Sequence, residues 1–487
     1  MKPLLISKTT FLEFLFCAKN IWLKLHKPDL AHMFKLSDFE KQLIEQGNEV
    51  DKYVQKIFPD GIVGNIKGEG TYFQPTFEAD GFLVRCDVLE YDNKSKYWNL
   101  FEVKATNSIK ENGGLRDHID DVTFQASVLK RAGLNVGKYF LITLNKEYVR
   151  WGDLEPEKLF IKEDVTEKVL LKLPEVEAQM EAAKEYIAKT EEPKGNCECL
   201  FKGRSQHCST FEYSNPQVPK YSVHDLSRIG SSKNKLQMLI EQEVFDIANI
   251  PSHFEFSDIQ HNQIHVHKND KPIIKHDEIF DALNSLEFPL YFFDYETFAP
   301  AIPAFSGFRP YQRIPFQFSL HILHKPDGEL EHFEYLHEDF SDPSENVAKF
   351  LDKYIGAKGT IITWNKSFEA GVNKEIGERL SEYKKLMDRL NGMLYDLMDI
   401  FRAQHYVHKD FKGSTSIKKV LPVVAPHLDY KKLNISEGGA ASESWWKMVG
   451  PTTPDSEKKQ IAKDLKEYCG LDTFAMYEVW KHLTNLS

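Results

Sequence analysis

Residues Tyr291–Thr297 read YFFDYET, an apolar run of strand-forming side chains that carries Asp294 and Glu296. Side chains alternate along a strand, so the two carboxylates point to one side of it. Two acids held side by side repel unless a cation sits between them or their pKa values move. A short carboxylate pair on a rigid strand suits magnesium or manganese. The alternative is a strand whose polar edge is solvated.

Working outward, Glu467–Asp472 reads EYCGLD inside a helical pattern over about Ser456–Leu486. There Tyr468 and Asp472 are four apart and share a helix face. Between these elements TIITWN, Thr360–Asn365, reads as a buried strand, and Glu369 follows at a helix start. Asp-x-Glu on a first strand, Asn-x-x-x-acid after a later one and Tyr-x-x-x-Asp on a last helix resembles the DEDD exonucleases of the DnaQ-like, RNase H-like superfamily, in the subgroup that uses tyrosine. The resemblance covers about Phe288–Ser487. It implies that Asp294, Glu296, Glu369 and Asp472 hold two Mg2+ or Mn2+ ions and that Tyr468 orients the attacking water, in the manner of two-metal phosphoryl displacement. The family usually has Asp where Glu369 stands, and Asp396 or Asp399 in MLYDLMDIF is the substitute ligand. Strands at Ile314–His324 and Leu330–Leu336 around KPDGE, and a helix at Pro343–Ile355, complete the expected mixed sheet. Arg309 and Arg313 in SGFRPYQRIPF are candidates to hold phosphate while Phe308 or Tyr311 stacks on a base, and Lys412, Lys418 and Lys419 in FKGSTSIKK are further phosphate candidates. Ordinary loop packing is the alternative.

Toward the N-terminus, Ser7–Leu25 and Ser37–Phe58 read as helices, and Phe77–Tyr91 and Tyr97–Ala105 as two strands around DNKSK. A turn centred between Lys94 and Ser95 sets Asp87 opposite Glu102, while Glu102 and Lys104 share a face. Asp87, then Glu102-Val103-Lys104, then a helix bearing Gln125, resembles the PD-(D/E)XK nucleases of the RecB-like branch over about Met1–Thr210. This implies a restriction-endonuclease-like domain in which Asp87 and Glu102 bind Mg2+ or Mn2+ and Lys104 positions water or steadies phosphate charge. Gln125 joins them, and the acid of the early helix is Glu49 in preference to Asp51. Leu129 stands where that branch often has tyrosine. An amphipathic hairpin with a solvated acidic edge is the alternative.

Cys197, Cys199 and Cys208 fall within twelve residues of one another, and in a reducing compartment such a group suggests a metal or cluster, with Cys17 as fourth ligand. One cysteine before the nuclease core and three after it resembles the iron-sulfur members of the RecB-like family, which implies a [4Fe-4S] staple. Zn2+ is the rival, and a chance grouping of thiols the third reading. Cys86 and Cys469 read as ordinary buried thiols. His261, His265 and His267 read as solvated, the last two on a short exposed strand.

At 487 residues, 41% hydrophobic and 28% charged, the chain is expected to be α/β in three parts. These are a RecB-like domain at 1–214, a helical connector at 215–285 that faintly resembles a helix-hairpin-helix, and an RNase H-like domain at 286–487. The formal charge of −11 excludes a polybasic arm but not a local basic groove. Lys8 and Glu13 interrupt the opening residues, no run spans a bilayer, and six cysteines do not make a secreted disulfide scaffold. A cytoplasmic location and no membrane partner are therefore expected. The order of modules resembles prokaryotic fusions of the two nuclease types. It implies a metal-dependent nuclease, with DNA placed ahead of RNA as partner and substrate. An RNA-directed nuclease and a nucleic-acid-binding assembly subunit with a degenerate centre are the alternatives.

Overall fold

In the computed structural model, residues 4–111 and 117–486 are described. The chain is mixed α/β and divides into two compact units, Met1–Val218 with Pro300–Tyr311, and Pro219–Ala299 with Gln312–Ser487. Residues 219–285 pack as part of the second unit, and the short stretch 300–311 returns to the first.

The first unit opens with helices α1 (Lys8–Phe16) and α2 (Ala18–His26). The single helix expected over Ser7–Leu25 is broken at Cys17, whose extended backbone (φ −159°, ψ 103°) takes it out of the helical register. Helix α3 (Asp38–Gln55) follows behind a Ser37/Glu40 capping box. A six-stranded sheet runs in chain order, β1 (Ile62–Val63), β2 (Thr71–Phe73), β3 (Val88–Asp92), β4 (Tyr97–Val103), β5 (Val136–Leu144) and β6 (Phe160–Asp164). The strand expected over Phe77–Tyr91 is three strands. Thr76–Ala79 and Phe82–Arg85 form a hairpin about Asp80-Gly81, both at positive φ, and β3 begins afresh after Cys86-Asp87. Helix α4 (His118–Arg131) is the crossover that the parallel pair β4 and β5 requires, and it is buried from His118 to Leu129. Helix α5 (Thr166–Ile187) supplies Val169, Val176 and Met180 to the same core.

In the second unit, helix α6 (Asp258–Asn269) carries His261, His265 and His267, so the expected short strand there is a helix. Gln260, Gln263 and Ile264 are its buried side, at helical spacing. A five-stranded sheet then forms from β7 (Leu290–Phe298), β8 (Ile314–Leu323), β9 (Leu330–Leu336), β10 (Thr360–Thr363) and β11 (Leu394–Asp396), in the spatial order β9-β8-β7-β10-β11. Strands β7, β8 and β9 are antiparallel neighbours, while β10 and β11 run parallel to β7. Helices α7 (Ser344–Tyr354) and α8 (Lys366–Arg379) make the parallel connections. Alternation along β7 decides the layers. Tyr291, Phe293 and Tyr295 pack on Val347, Leu351, Val372 and Ile376, and the opposite face carries Phe292, Asp294 and Glu296. That face is covered by α10 (Gly438–Val449) and α11 (Asp455–Leu486), and α9 (Ile417–Val424) packs on α11. Phe292 meets Tyr477 and Trp480 of α11 at ring distances of 5.6 and 5.9 Å.

His321 on β8 is 7% exposed, hydrogen-bonded through Nδ1 to Thr473 Oγ1 at 2.8 Å and stacked on His332. Burial, and then His332, pushes its pKa down to about 3. The unfolded chain takes up this proton near pH 6.5 and the folded one does not, so the histidine's contribution to stability is lost as pH falls below that value. We expect the stability deficit of His321→Asn relative to wild type to shrink by about 2 kcal/mol between pH 7 and pH 5, measured by denaturant unfolding at each pH.

Among the described residues no helix is long and apolar enough to cross a membrane.

Candidate functional site

The second unit gathers its acids where β7 meets α8 and α11. Asp294, Glu296 and Asp472 present ligand oxygens within 4.8 Å of one another. The strand sets the first two on one side, with an irregularity in pairing just after Glu296. Helix α11 lays Tyr468 and Asp472 one turn apart on its buried face. Glu369, 1% exposed in the first turn of α8, hydrogen-bonds Asp294. Its turn is set by Asn365, at φ +98° in the left-handed region that asparagine tolerates, and by Asp396, whose carboxylate accepts the N–H groups of Asn365 and Lys366 at 3.0 and 3.1 Å. Asp396 is thus committed to helix α8 and to Arg402 at 2.9 Å. Asp399 is an exposed residue paired with the same arginine, so neither stands in for Glu369.

These carboxyls are electrostatically frustrated. Burial, then Asp472, Glu296 and Glu369, holds Asp294 well above the usual carboxylate range. Burial and Asp472 raise Glu296. Burial raises Asp472 to about 6 against hydrogen bonds from Tyr430 and Tyr468, and raises Glu369 to about 8. Glu369 Oε2 is also buried without a hydrogen-bond partner. A convergent, partly unsatisfied set of hard oxygen donors fits a divalent cation.

Of the two further residues here, Tyr430 was not singled out from sequence, while Lys418 is one of the three lysines of FKGSTSIKK read as phosphate candidates. Tyr430 donates to Asp472 Oδ1 at 2.6 Å, and Lys418 lies over the rings of Tyr430 and Tyr468 at 5.6 and 5.8 Å while lowering Glu296 and Asp472. Its neighbour Lys419 is exposed on the other side of α9. Gly438 opens α10 close by, its β-position 3.8 Å from Glu296 Oε2. Arg313 is bound to Glu375 by two nitrogens, at 3.0 and 2.5 Å, and rests on Phe368. Arg309 belongs with 300–311 to the first unit, where it is exposed. In the same stretch Phe308 is 1% exposed and packs on Phe305, and the Tyr311 hydroxyl donates to Ala105 O, so neither ring is presented for stacking.

The first unit holds the other centre. The hairpin register is Val88 opposite Phe101 and Leu89 opposite Leu100, which continues to Asp87 beside Glu102, and Asp87 Oδ2 accepts the Val103 N–H at 2.8 Å. Glu102, 1% exposed, accepts from Lys8 Nζ at 2.6 Å and Lys104 Nζ at 2.7 Å through one oxygen, and from Gln125 Nε2 at 2.6 Å through the other. Asp121, one turn before Gln125 on α4, pairs with both lysines and with Gln125. Burial pushes Glu102 upward, yet Lys104 and Lys8 outweigh it and hold this carboxyl below its ordinary value, whereas burial and Glu102 leave Asp87 well above its own. The acid of α3 that senses this group is Asp51, which feels Glu102, Lys8 and Lys104. Glu49 is on the exposed side of the helix. Lys8 and Asp121 escaped the sequence reading, although the i, i+4 spacing of Asp121 and Gln125 was available. A cavity of about 540 Å³ opens beside Lys104 and Asp121, lined also by Lys110, His118 and Tyr311.

Cys17, Cys197, Cys199 and Cys208 come together with their sulfurs within 4.8 Å of one another, all buried. Cys86 and Cys469 are buried free thiols elsewhere. His207 stacks on Phe211 instead of joining the four.

Three curated relatives align with parts of this chain. The uncharacterized protein UU173 of Ureaplasma parvum serovar 3 is 29% identical over 220 residues, 41% of this chain and 32% of that protein. The uncharacterized protein MG366 of Mycoplasma genitalium is 27% identical over 40% of this chain and 32% of its own length, and its Mycoplasma pneumoniae homolog 26% identical over 39% and 31%. The chain thus spans about a third of the length of the curated relatives it matches. Residues 291–416 match the model of a domain of unknown function, DUF2779, a similarity that takes in Asp294, Glu296 and Glu369 and ends before Lys418, Tyr430 and Asp472.

Proposed function

We propose that the chain is a metal-dependent nuclease, with an RNase H-like exonuclease centre in the second unit and a restriction-endonuclease-like PD-(D/E)XK centre in the first, acting on DNA. The observation that carries this reading is the convergence of Asp294, Glu296 and Asp472 within 4.8 Å, with Glu369 beside them. Acids that repel in a buried site persist when a cation and a phosphodiester complete it. Magnesium or manganese held by these four residues would supply Lewis-acid stabilisation of the entering and leaving oxygens. Tyr468, whose hydroxyl burial and Asp472 keep protonated, donates to Asp472 and would orient the attacking water. Tyr430 fixes the other side of Asp472, and Lys418 offers the positive charge that a phosphate approaching Glu296 needs. In the first unit Asp87 and Glu102 would hold the ion, Lys104 would steady phosphate charge, and Gln125 orients Glu102. The four thiols are outside this chemistry and would serve as a metal-bound staple of the first unit.

A second reading has its own observation. Lys8 Nζ sits between Glu102 and Asp121 at 2.6 and 3.1 Å, where a cation would otherwise neutralise them, so the first unit binds nucleic acid and leaves hydrolysis to the second. A panel of single- and double-stranded DNA and RNA with Mg2+ and Mn2+ tests both. Cleavage of DNA that disappears in Asp294→Asn and persists in Lys104→Ala fits the second reading, and dependence on both residues fits the first. Degradation of RNA alone moves the assignment to an RNA nuclease. No cleavage of any substrate overturns the proposal.

A further inference from the structure

We propose that Cys17, Cys197, Cys199 and Cys208 hold a single tetrahedral Zn2+ ion, and not a four-iron cluster. The inference is independent of the nuclease reading and rests on sulfur spacing. Zn–S bonds of about 2.3 Å in a tetrahedron set the sulfurs about 3.8 Å apart. A [4Fe-4S] cube must fit four irons and four sulfides between the thiolates, which holds their sulfurs roughly 6 Å apart. Here all four lie within 4.8 Å of one another, and Cys197 and Cys208 are 3.9 Å apart. A cube does not fit between them, and one ion does.

The surroundings are those of a closed structural site. The four side chains are 1%, 2%, 0% and 7% exposed, in chain order, which leaves no coordination position open to water or substrate. The backbone supplies them from rigid pieces. Cys17 is the break between α1 and α2, and Cys197 and Cys199 flank the start of one tight turn, Glu198–Phe201. A donor shell orients the sulfurs, as in metal sites whose outer partners fix the ligands. Asn215, fully buried, donates from Nδ2 to Cys197 Sγ at 3.2 Å. Thr210 contacts Cys208 Sγ while held by Asn20, whose Oδ1 accepts the Thr210 N–H and hydroxyl at 3.1 and 2.8 Å. Cys17 Sγ–H donates to Glu198 Oε2 at 3.4 Å. Loading the site releases the thiol protons to solvent, and Glu198, exposed at the surface, turns away at little cost.

The test uses the full chain, grown with iron and zinc both supplied and purified with and without oxygen. The expected result is one zinc per chain in both preparations, no acid-labile sulfide and no absorbance near about 400 nm. Anaerobic incubation with ferrous iron and sulfide is expected to add no such band, and Co2+ exchange is expected to give the ligand-field spectrum of a tetrahedral tetrathiolate. In Cys17→Ser, zinc retention against a chelator falls at least tenfold; if that variant does not fold, the Co2+ spectrum of the wild type carries the decision alone. A broad band near 400 nm with iron and sulfide at four each per chain overturns the proposal. So does a chain that emerges without metal from both preparations and takes up neither Zn2+ nor Co2+.

Discussion

Asp294→Asn is expected to lower nuclease turnover by at least about 10³-fold while leaving the metal-free protein as stable as wild type, or more so. Removal of a group that stabilises transition-state charge costs this order of magnitude, and Asp294 is the acid that touches the most others, with Asp472, Glu296 and Glu369 all pressing on it. Asparagine keeps the shape and removes the repulsion. Active sites are commonly built at the expense of stability, and under the proposed function the raised carboxyls of Asp294 and Glu296 are that expense. Divalent ions should distinguish the two proteins. At a concentration a hundred times its dissociation constant, Mg2+ or Mn2+ is expected to stabilise the wild type by about 2.7 kcal/mol, and Asp294→Asn should show little of this. Thermal melts with and without metal, run beside the cleavage assay, check both halves. A variant that is inactive but markedly destabilised without metal would mean that the acids hold the fold together instead of straining it.

Glu102→Gln should fail in the opposite manner. Glu102 is the shared acceptor of Lys8, Lys104 and Gln125, and with its charge gone two ammonium groups in a buried site keep only Asp121 in common. Breaking one side of a buried ion pair costs about 3–5 kcal/mol, so a loss of about 3 kcal/mol in the first unit is expected, together with loss of any cleavage that depends on Lys104. The contribution is tied to pH. Because the folded pKa lies below the unfolded one of about 4.5, it is present above that pH and lost as pH falls through and below it. Adding Lys8→Met to Glu102→Gln should recover part of the stability, since the double variant removes both charges. Denaturant unfolding of the two single variants and the double one measures the coupling, and a double variant no more stable than Glu102→Gln alone sinks this account of the pair.

The parts of this architecture that could be read from residues alone are those fixed by short-range periodicity. Two-residue alternation puts Asp294 and Glu296 together, four-residue spacing puts Tyr468 beside Asp472, and a turn at Lys94-Ser95 sets the pairing around Asp87 and Glu102. What could not be read depends on rotational phase or on irregular backbone. Glu49 and Asp51 lie on one helix, and nothing local says which faces the sheet; the helix turns Asp51 inward. Tyr430 comes from a stretch of short turns, where no period links it to Asp472, and nothing local says which of Lys412, Lys418 and Lys419 meets the acids. The single strand expected over Phe77–Tyr91 overlooked the punctuation at Asp80-Gly81. At His265 and His267 two polar residues in alternation suggested extended chain, although Gln260, Gln263 and Ile264 carry the helical period of a buried face. Arg313 has the chemistry of a phosphate ligand, but Glu375, one turn along α8 from Gly371, occupies it, and no local period joins the two.

The stretch 300–311 has a practical consequence. It places Ala301 and Ile302 in the apolar cluster formed by α3 and the six-stranded sheet, and Arg150 donates to the carbonyls of Pro303 and Ala304. A truncation ending at Val218 would deprive the first unit of native packing supplied from eighty residues downstream. Excising 300–311 from the remainder would leave Ala299 and Gln312 to be spliced artificially. Assigning activities to the two halves is therefore a task for point substitutions in the intact polypeptide, and fragment expression would report the damage of cutting along with the chemistry of what was kept.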